Sequence, residues 1–552
     1  MSSLMPTQGP PSALSQAMTA NFDNPVAADD HAPAGRAGNA APRGGAGVHG
    51  TFSIETFCSA GGLSLTHEDA DGFRNYLAQW HVPNFIYRDA GVKVWAYYED
   101  FDNWQDTYGM DAAMCVYHSG HGGMDGNGVF YVPMGADWGG LGCTATSDRM
   151  RLGNERARYV FWSTCLSLRI AGGHNPIRTW QAANLGFRML FGFETVSWDN
   201  PNYGKFFWEE WNKNKSLSTA WLDASWRIAH DQAPSVVACG ATQQEAQSRL
   251  YNERSLQWGQ ASRNWWWWRW YNAASAARSG QRSLPRQAMR AMLAPVDARQ
   301  AAMAADRLGF SARSLASRAD GSFALHDGGR SLTLDPRGGF NLELGQPNRD
   351  NQTALALHEA RRVALDAIGQ HGLAGGAELV FDRALHSSAA GGTLEGSGRI
   401  EKNHVTETVL QYRQVIDGLP VISPDAGTVR VRVDNDGRVT AISSSLREVR
   451  ELSRDTHRMQ AQPNDPTQSG PVEPLPAGDD IDALLAPEVG RRLRSVVSRG
   501  GTLLGVSEVP GTAEIGYDMQ GDSAELVARK GIEIDFGGGY KKRYWVQAPV
   551  PV

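Results

Sequence analysis

Two short stretches carry side chains able to work together: Cys115-Val116-Tyr117-His118-Ser119-Gly120-His121-Gly122 and Tyr159-Val160-Phe161-Trp162-Ser163-Thr164-Cys165. Each is an apolar run that breaks onto a small residue and then a reactive one. A thiol attacks a carbonyl only as thiolate, and a nearby imidazole both lowers its pKa and returns a proton to the leaving amine. His121 and Cys165 are therefore read as a cysteine–histidine dyad. The tetrahedral intermediate of such a reaction needs backbone N–H donors, and Gly122 lets a substrate approach the main chain closely. His118 and His121 also form His-x-x-His with Asp125 nearby. A zinc pair at that spacing needs a helix face, whereas this segment ends a strand and holds two glycines, so no metal is expected.

The elements around these residues must bring an imidazole and a thiol to one carbonyl. Short unbroken apolar runs read as buried strands of a parallel sheet. Functional groups of open α/β sheets collect beyond the carboxyl ends of such strands. The pattern predicts strands at 51–57, 85–87, 92–98, 114–117, 129–132, 158–162, 185–192 and 235–238. Helices are predicted from Thr66 to Trp80, with Glu68, Asp69 and Asp71 at a capped start, and at 202–211 and 218–229. Alternating strands and helices imply an α/β domain over 51–273, its mostly parallel sheet covered on both faces. The run Trp265-Trp266-Trp267-Trp268-Arg269-Trp270 invites a ligand-stacking or membrane-interface reading. Consecutive indoles project to both faces of a strand, which better suits a segment sandwiched between two domains.

The His-Gly and Cys motifs, each behind four apolar residues, resemble those of caspase-like cysteine peptidases, the clan of caspases, metacaspases, gingipains, clostripain, legumain and separase. From Ser53 to about Trp258 the chain looks like an uncharacterised bacterial branch of it. The resemblance implies His121 as general acid/base, Cys165 as nucleophile, and the N–H groups of Gly122 and Cys165 as oxyanion hole. It also implies protein or peptide substrates and no cofactor. In several relatives the residue two before the nucleophile lines the specificity pocket, as Asp in those that cut after Arg or Lys. Here it is the neutral Ser163, so a basic preference is not expected unless Asp125, Asp137, Asp148 or Asp199 reaches the pocket.

Residues 274–287 read as a polar linker, and the pattern beyond them changes to α+β: a hairpin at 322–334, a helix at 354–368, and antiparallel strands at 405–416, 428–433 and 438–443. Residues 460–479, rich in proline, read as a second linker, followed by a helix at 480–498 and three strands in 513–546. The stretch 404–443 resembles the cystatin-like prodomain modules of secreted bacterial metallopeptidases. The 288–455 module, completed or extended by 480–552, is thus expected to inhibit the peptidase intramolecularly.

A net charge of −6 without a Lys/Arg block argues against a nucleic-acid partner. No run of ~18 apolar residues occurs, so no membrane span is expected. Residues 1–48, rich in Ala, Gly and Pro, read as a mobile tail without a secretory signal. Five cysteines at 58, 115, 143, 165 and 239 form an odd, sparse set. That argues against a disulfide framework and for a reducing, cytoplasmic setting, with Cys58 and Cys115 as buried inert thiols. Export is the alternative, because modules like the C-terminal one accompany it.

Overall fold

The computed structural model describes residues 24–27, 47–100, 104–276, 289–294, 305–310, 316–317, 322–327, 329–394, 398–454, 481–500 and 503–550. Its first ten strands are β1 (His49–Ser53), β2 (Phe85–Arg88), β3 (Cys115–Ser119), β4 (Gly123–Met124), β5 (Phe130–Pro133), β6 (Thr144–Thr146), β7 (Tyr159–Ser163), β8 (Met189–Phe193), β9 (Pro234–Gly240) and β10 (Trp265–Ala276). In the main sheet the order β2-β1-β3-β7-β8-β9-β10 is parallel as far as β8, then antiparallel at β8–β9 and β9–β10. Every residue of β1, β3, β7 and β8 is buried, as a sheet covered on both faces demands.

Side-chain alternation divides the core into two layers. Tyr117, Phe161 and Phe191 meet the helices Thr66–Leu77, Tyr203–Trp211 and Leu217–Ile228, with Phe73 stacked 4.6 Å from Tyr117 and Phe161 stacked 4.0 Å from Phe191. Val116, Val160, Trp162 and Leu190 meet Phe130 and Trp180 on the other face. The first helix starts at Thr66 as expected, but Thr66 does not cap it: its hydroxyl donates to the Ile54 carbonyl at 2.9 Å.

The tryptophan run is a strand between the two halves of the chain. Trp267 packs on one face, with Trp265 against the same layer, while Trp266, Trp268 and Trp270 pack on the other. β10 pairs with β9 on one edge and with Glu378–Thr393 on the other. Opposite Trp267 sits Gly391, where any Cβ would run into the indole. The sheet then continues, antiparallel, through His404–Ile416, Thr428–Asp434, Val439–Ser444, Phe340–Glu343, Arg330–Leu334 and Phe323–Asp327. The result is an α/β protein with one large mixed sheet rather than a mostly parallel sheet beside a separate antiparallel one. The expected linker at 274–287 is strand up to Ala276, and its remainder lies outside the described residues, as does 460–479. Of the expected tail, residues 24–27 are docked, Ala27 N donating to Leu256 O at 2.9 Å.

A second sheet is centred on Ser523–Gly537, which pairs with Met289–Leu293, Gly505–Glu508, Glu514–Gln520 and Tyr540–Pro549. The helix Ile481–Ser498 packs against it, Val496 joining Tyr544 and Ile534 in one apolar cluster. The cysteines depart from expectation. Cys58 is exposed, in a bend after β1, and is bonded to Cys143 just before β6. Cys115, Cys165 and Cys239 are free and buried.

Candidate functional site

β3 and β7 are in register, Ser119 opposite Ser163, so His121 and Cys165 each lie two residues beyond a paired position at adjacent strand ends. Gly122 packs against the turn that carries the thiol: a Cβ on it would stand 2.7 Å from the Cys165 carbonyl oxygen. Leu166, directly after Cys165, has φ +60°, a left-handed conformation that costs a branched residue energy. Such strain concentrates at functional sites. Cys165 and His121 are 1 % and 0 % exposed. The two do not hydrogen-bond each other. Cys165 Sγ donates to the Lys541 carbonyl at 3.2 Å, accepts from Ser197 N at 3.3 Å and lies 3.5 Å from Ser197 Oγ. His121 Nε2 lies 3.0 Å from the Gly61 carbonyl and must donate to it, leaving on Nδ1 the lone pair a general base uses. Nδ1 is buried, with no partner among the described residues. Phe57, Phe536 and Tyr540 enclose the ring at centroid distances of 4.9, 4.8 and 5.6 Å.

Burial, reinforced by the charge of Lys542, holds His121 at a pKa of about 3, against which the Gly61 hydrogen bond pulls only weakly. His118 is held at about 3 by the same two causes. It is fully buried, its Nδ1 2.7 Å from the Tyr97 hydroxyl. Behind the strands, on the helix side, Asp69 accepts from Tyr117, Ser119 and the Gly204 N–H at 2.8–2.9 Å, and burial raises its carboxyl to about 6. Asp69 does lie in the first turn of the helix, as expected, but it serves as a buried tie between the helix and β3. Ser163 belongs to this cluster, bonded to Asp69 and Tyr117. Its hydroxyl is therefore engaged on the helix side of the sheet, away from the pocket role expected for it.

The cleft is covered by a part of the chain that no local pattern assigned to it, the hairpin of Ser523–Gly537 and Tyr540–Pro549. Arg543 pairs in parallel with Trp198: Arg543 N donates to Ser197 O at 3.3 Å and Asp199 N to Arg543 O at 2.8 Å. Trp545 stacks on Trp198 at 4.3 Å and its indole N–H reaches the Ile228 carbonyl at 3.1 Å. Arg543 also pairs with Asp231 at 2.8 Å. Phe536 fills the space over Gly61, and Arg499, at the end of the preceding helix, pairs with Glu55. Lys542, 2 % exposed, enters the cleft and donates to the Gly120 carbonyl at 3.3 Å and to Ser197 Oγ at 3.0 Å. Among the acids considered from sequence, Asp199 is the one at this place. Its burial raises the carboxyl above the usual range, against the pull of Lys542's charge and of the bonds it accepts from Ser64 N and Oγ at 3.0 and 3.1 Å. One sequence signal pointed here: in Tyr540-Lys541-Lys542-Arg543-Tyr544, period two puts Lys542 on the same inward face as the two tyrosines.

Among the described residues no cluster of three His, Cys, Asp or Glu side chains is placed to hold a metal ion, and no helix is long and apolar enough to cross a membrane. No curated protein matches the chain. Residues 50–270, from within β1 to within β10, match the family model described as Domain of unknown function (DUF6345), and it is this segment, bearing both His121 and Cys165, that is similar to that family.

Proposed function

We propose that the chain is a caspase-like cysteine endopeptidase, held latent by its C-terminal hairpin. The observation that carries this reading is the Lys541 main-chain carbonyl lying 3.2 Å from Cys165 Sγ, with His121 and Gly122 at the adjacent strand end. A polypeptide already occupies the place where a scissile bond would sit. In a substrate complex the Cys165 thiolate attacks the carbonyl carbon and His121, neutral with Nδ1 unpaired, takes the thiol proton and passes it to the leaving amine. The N–H groups of Gly122 and Cys165, neither bonded to a backbone carbonyl among the described residues, would hold the oxyanion. A second reading, a catalytically silent peptide-binding domain, draws support from the thiol being engaged by Ser197 rather than by His121. Opening the hairpin and labelling with a thiol-reactive peptide probe separates the two. The peptidase reading expects labelling at Cys165 and hydrolysis that both disappear in Cys165→Ala. Peptide binding with an inert thiol would favour the second.

The Cys58–Cys143 bond favours the exported alternative over a cytoplasmic location, since disulfides persist in oxidising compartments.

A further inference from the structure

Arg269 of β10 is 3 % exposed and faces the helix side of the sheet, where its guanidinium meets hydroxyls: Thr219 and Ser387 at 3.1 Å and Ser218 at 3.5 Å. Among the described residues no carboxylate lies within ion-pair distance of it. Arg349, in the loop after Phe340–Glu343, is alike. It lies over the Tyr251 ring at 3.8 Å, where Arg269 approaches at 5.3 Å, and it donates to the Gln346 side chain at 2.7 Å rather than to an acid. The Nε atoms of both arginines are buried and unbonded among the described residues. Withdrawing a guanidinium from water without a counter-ion is costly. Burial and the like charge of Arg269 pull Arg349 below its ordinary pKa, against Tyr251 and Glu407.

Both arginines line a cleft of about 460 Å³ whose walls come from the two halves of the chain. Small-molecule sites run from about 300 to 1,000 Å³. The other cations of the cleft are spent on acids: Lys215 on Glu210 and Asp223, Arg330 on Asp327, and Arg432 on Asp223. Glu407 lines the same cleft and is 5 % exposed; Thr440 Oγ1 donates to it at 2.6 Å, and among the described residues no cation lies within ion-pair distance. Sheet register keeps these opposite charges apart. Tyr271, Ser387 and Glu407 stand in one row across three strands, and Arg269 is two residues from Tyr271. Glu407 is thus two strand spacings, about 10 Å, from β10. One cleft presents unspent positive charge on one wall and unspent negative charge on another.

We propose that this cleft binds a small zwitterion, an amino acid or short peptide with both ends free. Its carboxylate lies on Arg269 and Arg349, and its ammonium lies toward Glu407. The cleft shares no lining residue with the site at Cys165, so the proposal stands apart from the peptidase reading.

The test titrates the full chain by calorimetry with glycine, leucine, dialanine and trialanine, each also in its N-acetyl and C-amide forms, and with acetate and inorganic phosphate alone. At least one free zwitterion should bind saturably, and blocking either end should weaken it at least ~10-fold, because a charged wall is then left without its partner. Glu407→Gln should erase the penalty of acetylation, and Arg349→Gln that of amidation. Cys165→Ala should bind as the unaltered chain does. No saturable binding by any of these compounds, equal binding of free and blocked forms, acetate or phosphate binding as tightly, or loss of binding in Cys165→Ala would each overturn the proposal. Should circular dichroism show either cleft variant unfolded, the comparison of free with blocked ligands on the unaltered chain decides alone.

Discussion

The register of β3 with β7 sets His121 and Cys165 just beyond adjacent strand ends. With the hairpin opened, His121→Ala should cut peptide hydrolysis by roughly 10²–10⁴-fold, the usual worth of a positioned acid–base group, while Cys165→Ala abolishes it. Cys115→Ala, a small truncation behind the site, should leave activity nearly intact and cost about 1–2 kcal/mol in denaturant melts. Acid should act through the buried histidines. His49, His118 and His121 are all lowered to about 3 from 6.5, so they contribute stability above pH 6.5 that is lost as pH falls toward 3. Each such group costs about 1.4 kcal/mol per pH unit across that window. Asp69 and Asp111, raised to about 6, work in the opposite sense between pH 6 and 4, but they are fewer and shifted less. The melting temperature should therefore fall between pH 7 and pH 5; a flat or rising profile would show that these imidazoles are already solvated. What the residue pattern hid was partnership. Nothing local in Thr66–Leu77 says that Asp69 turns inward to Tyr117 and Ser119.

Most local elements followed periodicity: Cys115–Ser119, Tyr159–Ser163 and Leu217–Ile228 fall where apolar spacing predicted them, whereas 92–98, expected as a strand, holds a single 3-10 turn at Val94–Ala96. Long-range contacts had no such signature. The hairpin lies more than 300 residues from the cleft it covers, and Cys58 and Cys143 are 85 apart with no spacing rule to join them. Trp545→Ala removes the stack on Trp198 and the hydrogen bond to Ile228. Trp545 is partly buried, so its truncation should cost less than the about 3–5 kcal/mol of a fully buried Trp, yet enough for iodoacetamide to reach Cys165 at least ~10-fold faster. An unchanged rate would mean the hairpin is not what protects the thiol. In denatured, unreduced protein three thiols should alkylate, those of Cys115, Cys165 and Cys239, and five after reduction; mass spectrometry reads the difference directly.

At the scale of the molecule, the expected division into an enzyme and a separate regulatory module fails at β10, which belongs to both. A chain ended after Ala276 would leave the outer edge of β10 unpaired, including Trp266 and Trp268, where Glu378–Thr393 now pairs. Unpaired apolar edges associate, so this truncation should aggregate instead of yielding an unrestrained enzyme. A soluble, monomeric fragment by light scattering would contradict this. The shared strand also orders events during synthesis. The half bearing His121 and Cys165 emerges from the ribosome first, yet its last edge cannot be finished until Glu378–Thr393 follows, and chains fold largely as such units become complete. The covering hairpin comes only about 130 residues later still. On the peptidase reading proposed above, the sheet that bears the dyad is completed shortly before the hairpin that covers it, so latency would be a matter of translation order as much as of affinity.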